Sequence, residues 1–489
     1  MKEHDSENLT DSLHKNIDII KERLHHTTEL TIRTIQIGES KTYDVSLIYL
    51  DDLVNADVIR DFVITPLFLF QEKKKSETGP FINYLASRHI RASSVEMISS
   101  FDQALNGIVR GQTLVIVDGY GSGIVAETTQ WQQRSVEQSN RQRSPGGPMI
   151  GLNEQLKVNL NLIRSFIQSP NLVVETKQIG RYEKTDLSIV YLKHKVDQQA
   201  LEEVRTRIDT LDVEYGLIAR VVEDALEGRK KSIFPLIFNT EMPDLVAAAL
   251  YEGRIAVLVN GTPNATIVPA LFVHYMTQPN EYYSKIGRLS NRLIIFITYL
   301  ATFLLPGIYL ALAKFHHDWF PAKFTKKYFS ASETILPFFL EITLLLIILY
   351  LLSLAAFRIE KDLVIVASLV GTLVISTTAV DAKLVHPLSL IIVGIAYLSS
   401  LLFQTGGMIG SAFILRYLFL IIGNFLGLSA MGIGLIVLII YMAQLRSVGV
   451  PFLAPIIPFR PQEFKDVFYR GNLKKLINSE HKYPHDDKE

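Results

Sequence analysis

Apolar residues recur along this chain in three rhythms. Leu9, Leu13, Ile17, Ile20 and Leu24 step by four, four, three and four, the repeat of one helix face. Short β-rich runs follow, Asp44-Val-Ser-Leu-Ile-Tyr-Leu50 and Thr113-Leu-Val-Ile-Val-Asp118, the second turning through glycines into Ile124-Val-Ala-Glu-Thr128. Helical stretches around 54–62 and 79–88 lie between them, and a Gln-, Ser- and Arg-rich stretch at 129–147, ending in Pro-Gly-Gly-Pro, reads as a loop or linker. The third rhythm is continuous: long apolar runs at Leu293–Ala313, Ile335–Phe357, Leu363–Val380, Pro387–Phe403 and 412–443. The last would be ~48 Å long as one helix, more than the ~30 Å hydrocarbon core of a bilayer. Gly423, Gly427, Gly432 and Gly434 offer places to break it.

The strand pattern occurs twice. Asp44-Val-Ser-Leu-Ile-Tyr-Leu50 matches Asp186-Leu-Ser-Ile-Val-Tyr-Leu192, and the block from Gly111 to Gly119 matches that from Gly253 to Gly261, both at the same offset along the chain. Two blocks in one register predict a duplication. The expected fold is an α/β soluble N-terminal module of two similar subdomains followed by an α-helical polytopic membrane domain. The expected divisions are an N-terminal amphipathic helix and tail (1–40), the subdomains (41–145 and 175–285) around a linker helix (146–174), the membrane domain (286–445) and a C-terminal tail (446–489).

Composition sharpens the division. Only 15 of the 98 Asp, Glu, Lys and Arg residues fall between 291 and 445. The absence of cysteine excludes a disulfide scaffold, a zinc-thiolate site and a cysteine nucleophile, and a net charge of zero gives no global basic field for nucleic acid. The polar, acidic N-terminus lacks the apolar core of a signal peptide, so the first 290 residues are expected on the cytoplasmic side. Arg288 and Arg292 before the first run agree with that side. A basic tail after Leu445 also points to the cytoplasm and requires an even number of crossings, yet Lys314, Lys323, Lys326 and Lys327 make the loop after the first run basic too, and the two signals conflict.

No enzyme constellation is visible. Asp118-Gly-Tyr-Gly-Ser-Gly123 follows a strand, but it lacks the lysine of a phosphate loop and leads into a strand, so it reads as a hairpin turn. His25 and His26 diverge as neighbours on a helix and read as a solvated helix end. The chemistry lies in the apolar runs. Ser368, Gly371, Thr372, Ser376 and Thr377 interleave with Val, Leu and Ile in 363–380. Two readings are open: a narrow polar constriction lining a pore in an oligomer, or interhelical packing through small residues. Glu341, Asp381 and Arg416 are costly in a bilayer and would fix helix packing or ion access, although Asp381 and Lys383 sit between runs and suit an interface equally.

Four stretches resemble one family. Gly147-Pro-Met-Ile-Gly-Leu-Asn-Glu154 runs on to Asn161-Leu-Ile-Arg164; Phe234-Pro-Leu-Ile-Phe-Asn-Thr-Glu-Met-Pro-Asp244 leads to Glu252-Gly-Arg-Ile-Ala-Val-Leu-Val-Asn-Gly-Thr-Pro263. Asn280-Glu-Tyr-Tyr283 precedes the first apolar run, and Arg446-Ser-Val-Gly-Val-Pro-Phe-Leu-Ala-Pro455, with Pro458, Asp466 and Arg470, follows the last. Together they resemble the A-subunit family of bacterial spore germinant receptors (GerA-like), which includes the stage V sporulation protein AF, over roughly residues 10–470. Where that family has an Arg-Glu-Ala-Gly element, this chain has Phe357-Arg-Ile-Glu-Lys-Asp362, and Val374-Ile-Ser-Thr-Thr-Ala-Val380 departs from the family pattern while Asp381 keeps its acid. The resemblance implies an inner spore membrane protein that acts in germination, forms an oligomeric monovalent-cation channel, and works with a transporter-like B subunit and a C lipoprotein. It implies no cofactor and no catalytic residue. The departures favour, as an alternative, a non-conducting receptor or scaffold subunit; a secondary transporter would need more spans than these.

Overall fold

The computed structural model describes residues 7–38, 42–70, 81–130, 147–148, 150–214, 218–228, 232–277, 285–329, 335–356, 380–402 and 406–459. Two five-stranded antiparallel sheets fill the first half. In the first, β1 (Leu30–Ile37), β2 (Tyr43–Leu50), β3 (Val95–Ile98), β4 (Thr113–Val117) and β5 (Gly123–Ala126) lie in the order β1-β2-β4-β5-β3. In the second, β6 (Leu172–Ile179), β7 (Thr185–Leu192), β8 (Phe238–Thr240), β9 (Ile255–Val259) and β10 (Ala265–Val268) lie in the order β6-β7-β9-β10-β8. The order is the same, and β1, β2, β4 and β5 all precede their counterparts by the one offset that the sequence repeat shows.

Central strands β4 and β9 are buried at every position, and apolar but for Thr113, because helices cover both faces. Alternation sends Leu114 and Ile116 to α1 (Leu13–Arg23) and α2 (Phe101–Val109), and Val115 and Val117 to helical turns carrying Ile59, Val63 and Leu85. Around the second sheet run α3 (Leu156–Phe166), α4 (Gln198–Asp209), α5 (Ile218–Glu227) and α6 (Pro243–Tyr251). Helices α4 and α5 pack on one face through Leu201, Val204 and Leu226, and α3 and α6 on the other through Leu160, Ile163 and Leu250.

The duplication extends to side chains. Asp118 Oδ1 accepts the Leu13 N–H at 3.0 Å and so caps α1; Asn260 Oδ1 does the same for Leu156 of α3, also at 3.0 Å. The Thr34–Ser46 hydroxyl pair (2.7 Å) recurs as Thr176–Ser188 (2.8 Å). The Asp118–Gly123 stretch is the turn of the β4–β5 hairpin. Gly119 (φ 84°) and Gly261 (φ 90°) hold left-handed backbone at the matching corners, where a Cβ would be strained.

Further helices follow, apolar except for the short, lysine-rich α8: α7 (Lys285–Phe315), α8 (Ala322–Tyr328), α9 (Phe338–Ala356), α10 (Pro387–Leu401) and α11 (Gly406–Gln444). Among the described residues two stretches, Ser290–Phe315 and Gly407–Gln444, are long and apolar enough to cross a membrane, and Phe338–Leu354 and Pro387–Leu401 are shorter apolar helices. Helix α11 is broken at Gly427 (φ 78°, ψ −170°), one of the four glycines that the sequence offers. The chain doubles back there: a Cβ on Gly434 would lie 3.4 Å from the Phe419 ring and 3.5 Å from Ile422, which a straight helix would hold about 18 Å or more away. Both ends of the hairpin meet the second subdomain, Gly407 against Pro235 and the Tyr441 hydroxyl accepting the Ile233 N–H at 3.1 Å. Its tip reaches the distal end of α7, where Lys314 Nζ donates to the Asn424 carbonyl at 2.9 Å. The arms, 406–426 and 428–444, are each roughly 25–32 Å long, about one hydrocarbon thickness.

Helix α9 runs antiparallel to the first arm, with Phe339 beside Phe425 near the tip and Tyr350 beside Phe413 toward the module. After α11 the chain returns to the module. The β11 (Arg446–Ser447) and β12 (Val450–Pro451) ribbon docks there through Ser447, whose hydroxyl donates to the Leu236 carbonyl (2.6 Å) and accepts the Ala270 N–H (2.8 Å). Phe452 is buried beside Phe234, Phe272 and Tyr275. One apolar core therefore runs from the second sheet through α7 and α11 to the tail.

Candidate functional site

Two of the three charged residues singled out in the apolar runs are deeply buried. Arg416 lies on the first arm of α11 and is 6% exposed. Its Nε donates to the Thr302 carbonyl of α7 at 2.8 Å, and Nη2 reaches the Ala396 carbonyl of α10 at 3.4 Å. The Thr302 contact has a cause in the sequence. In an α-helix the carbonyl of residue 302 accepts the N–H of residue 306, and Pro306 has none. The proline leaves a buried acceptor open, and the guanidinium fills it. Next to it Gly307 lets the backbones touch: a Cβ there would sit 2.5 Å from the Phe419 carbonyl oxygen, and one on Gly423 would run into Gly307 itself. Proline, glycine and arginine thus form one three-helix joint near mid-bundle.

Glu341 sits in the first turn of α9 and is fully buried. Its Oε1 accepts the His386 backbone N–H at 2.7 Å, while Oε2 has no hydrogen-bond partner among the described residues. His386 caps α10, its Nδ1 accepting the Leu388 N–H at 3.3 Å. One turn into α10 the Ser389 hydroxyl donates to the Tyr309 hydroxyl of α7 at 3.3 Å. Glu341 and Arg416 therefore occupy separate stations, each tying α7 and α10 to a third helix. Asp381 is not brought to either: it lies exposed, two residues before Lys383, whose carbonyl accepts the Ile335 N–H at 3.0 Å. Ser368, Gly371, Thr372, Ser376 and Thr377 lie outside the described residues.

A third cluster joins the two subdomains. Arg164 of α3 and Glu29, just before β1, form an ion pair at 2.5 Å with both side chains 1% exposed. Arg164 also donates to the Ser169 and Leu172 carbonyls. Lys157 pairs with Asp51 at 2.5 Å, and Asn161 donates to the Asp52 and Gln130 carbonyls. Burial, then the neighbouring Glu29 carboxylate, pushes the Asp52 carboxyl up to about 7. Edge strands meet above the cluster, Thr28 N–H donating to the Val174 carbonyl at 2.9 Å.

Sequence reasoning singled out Glu341 and Arg416 by cost of burial but missed what surrounds them. Pro306 at a helix centre was a readable signal for Thr302, because it names the orphaned carbonyl four residues back. Nothing local marks Tyr309, Ser389 or His386, or the seam residues Glu29 and Asp52.

Residues 18–481 match the family described as GerA, Bacillus/Clostridium GerA spore germination protein. Spore germination protein KA of Bacillus subtilis (strain 168) is 30% identical over 94% of this chain and 85% of its own. An uncharacterized membrane protein of the same organism, YfkQ, is 28% identical over 87% of this chain and 82% of its own. The crystal structure of the N-terminal domain of the A subunit of the Bacillus megaterium spore germinant receptor GerK3 aligns with 55% of this chain and 99% of that one, at 28% identity and a TM-score of 0.45. With the family pattern running nearly end to end, this chain belongs to the GerA family of spore germination proteins.

Proposed function

We propose that this chain is the membrane subunit of a spore germinant receptor and that it forms, as a homo-oligomer, a monovalent-cation channel opening early in germination. The carrying observation is that family membership coincides with an apolar helical bundle holding two buried ionisable side chains, Arg416 and Glu341, with no ion-pair partner for either among the described residues. Charges retained at such cost mark functional positions in membrane proteins. In this reading α7, α9, α10 and the two arms of α11 belong to a polytopic domain in the inner spore membrane, with the α/β module on the cytoplasmic side. The tail docks on the module, which suits an even number of crossings. The expected Leu363–Val380 segment supplies the constriction, and substitutions at Thr372 or Thr377 are expected to alter the conductance. A B-type transporter-like subunit and a C-type lipoprotein are the expected partners, and no cofactor is needed.

The alternative is a subunit that does not conduct and scaffolds one that does; the substituted element at 357–362 favours it. Tryptophan at positions 372 and 377 separates the two. The channel reading expects the double variant to insert and assemble normally while cation flux falls at least tenfold. Unchanged flux would remove 363–380 from the pore.

A further inference from the structure

The basic loop after α7 conflicts with the basic tail as a marker of orientation, because α7 carries it to the end of the bundle opposite the module. The same residues make a surface. In α8, Phe324 and Tyr328 fall four residues apart, in line with Phe320 before the helix, while Lys323 and Lys327, also four apart, take register positions on one flank of that line and Lys326 the position opposite it. The aromatic line faces inward: Phe320 stacks on Phe324 at 5.3 Å, Phe329 meets both rings at 5.2 and 5.5 Å, and the Tyr309 hydroxyl at the end of α7 donates to the Tyr328 carbonyl at 3.4 Å. Lys323 is exposed, and Trp319, one turn before it, is 67% exposed with His316 against its ring at 4.5 Å. Asp318 is the one acid between Lys314 and Phe329, and it pairs with His317 at 3.1 Å. Beside this element, at the hairpin tip, Phe425 and Leu426 are exposed at 62% and 67%.

We infer that residues 316–329 form a platform for anionic phospholipid headgroups, lying in the headgroup layer on the face opposite the α/β module. This rests on the membrane reading above. The occupant follows from charge and depth. An exposed Lys323, with Lys326 and Lys327 at neighbouring register positions of the same two-turn helix, brings charge that complements phosphate, a tryptophan at the end of an apolar helix sits where water meets acyl chain, and the aromatic line anchors the helix parallel to the surface. The loop's positive charge thus serves lipid binding rather than orientation, which removes its conflict with the tail.

The chain has two tryptophans, Trp131 and Trp319, so Trp131→Phe leaves Trp319 as sole reporter. The full-length variant would be reconstituted into phosphatidylcholine/phosphatidylglycerol vesicles in which one or the other lipid carries bromine at a shallow acyl position, at equal mole fraction. Trp319 should be quenched at least twofold more by brominated phosphatidylglycerol than by brominated phosphatidylcholine. The excess should shrink at high salt and vanish in a Lys323→Gln, Lys326→Gln, Lys327→Gln variant that still inserts. Equal quenching by both lipids would overturn the anionic preference. An unquenched Trp319 in protein that floats with the vesicles would overturn the platform alone and place the loop in water or under another protein. Protein that does not float would overturn the membrane reading and the platform together.

Discussion

Replacing Arg416 by Met tests the joint between α7, α10 and α11. Taken alone, this change removes the donor to the Thr302 carbonyl and leaves that oxygen buried with no N–H from residue 306. An orphaned buried acceptor costs about 1–3 kcal/mol. The same change relieves the burial of a guanidinium, so the single variant's net effect is small and poorly diagnostic. The coupling is diagnostic. Pro306→Ala restores the helical N–H to the Thr302 carbonyl, and in that background Arg416→Met orphans nothing on α7. The double variant should therefore be more stable than the two single changes add up to, by about 1–2 kcal/mol, within the range seen for residues sharing one hydrogen-bond partner. The measurement is unfolding of the detergent-solubilised chain by SDS titration for the four proteins of the cycle. Strict additivity, with no coupling beyond the small scatter of independent sites, would refute the claim that Arg416 answers the gap made by Pro306.

The other predictions concern packing and the seam. Arg164→Met leaves buried Glu29 without its ion-pair partner and should cost about 3–5 kcal/mol in thermal unfolding, with Glu29→Gln in the same chain recovering most of it. Asp52 is held protonated in the fold up to about pH 7, whereas an exposed carboxyl ionises near 4. Its contribution is constant below pH 4, falls by roughly 1.4 kcal/mol per pH unit as pH rises toward 7, and is flat above. Asp52→Asn should remove that slope from a pH series of unfolding midpoints, and an unchanged slope would assign it elsewhere. Gly307→Val puts a side chain where Phe419 backbone stands, so it should cost about 1–3 kcal/mol and loosen α7 from α11, read as faster hydrogen exchange in both helices.

The duplication was legible because both copies use the same local chemistry. Two strands in one register with matching Asp, Ser, Tyr and Gly positions showed it, and the paired caps Asp118 and Asn260 explain why those positions match. The break in the last apolar run was legible as a set of glycines but not as a single position. Gly427 takes the left-handed turn while Gly423 serves contact with Gly307, a distinction made by helix packing and not by local preference. Glu341 and Arg416 stood out because charge is rare in an apolar run, yet their partners lie on helices brought close only by folding. The seam was hidden for the same reason: Glu29 and Arg164 are 135 residues apart and each looks ordinary where it stands.

The central question is whether this chain conducts. Purified full-length protein in liposomes loaded with a potassium-sensitive dye, with and without a coexpressed B-type partner, gives the most direct answer. A homo-oligomeric channel predicts monovalent-cation flux from this chain alone, reduced by bulky residues at 372 and 377 and altered by Arg416→Met. No flux in either preparation, with insertion and oligomerisation confirmed, would contradict the channel and leave this subunit as the scaffold of a germination complex.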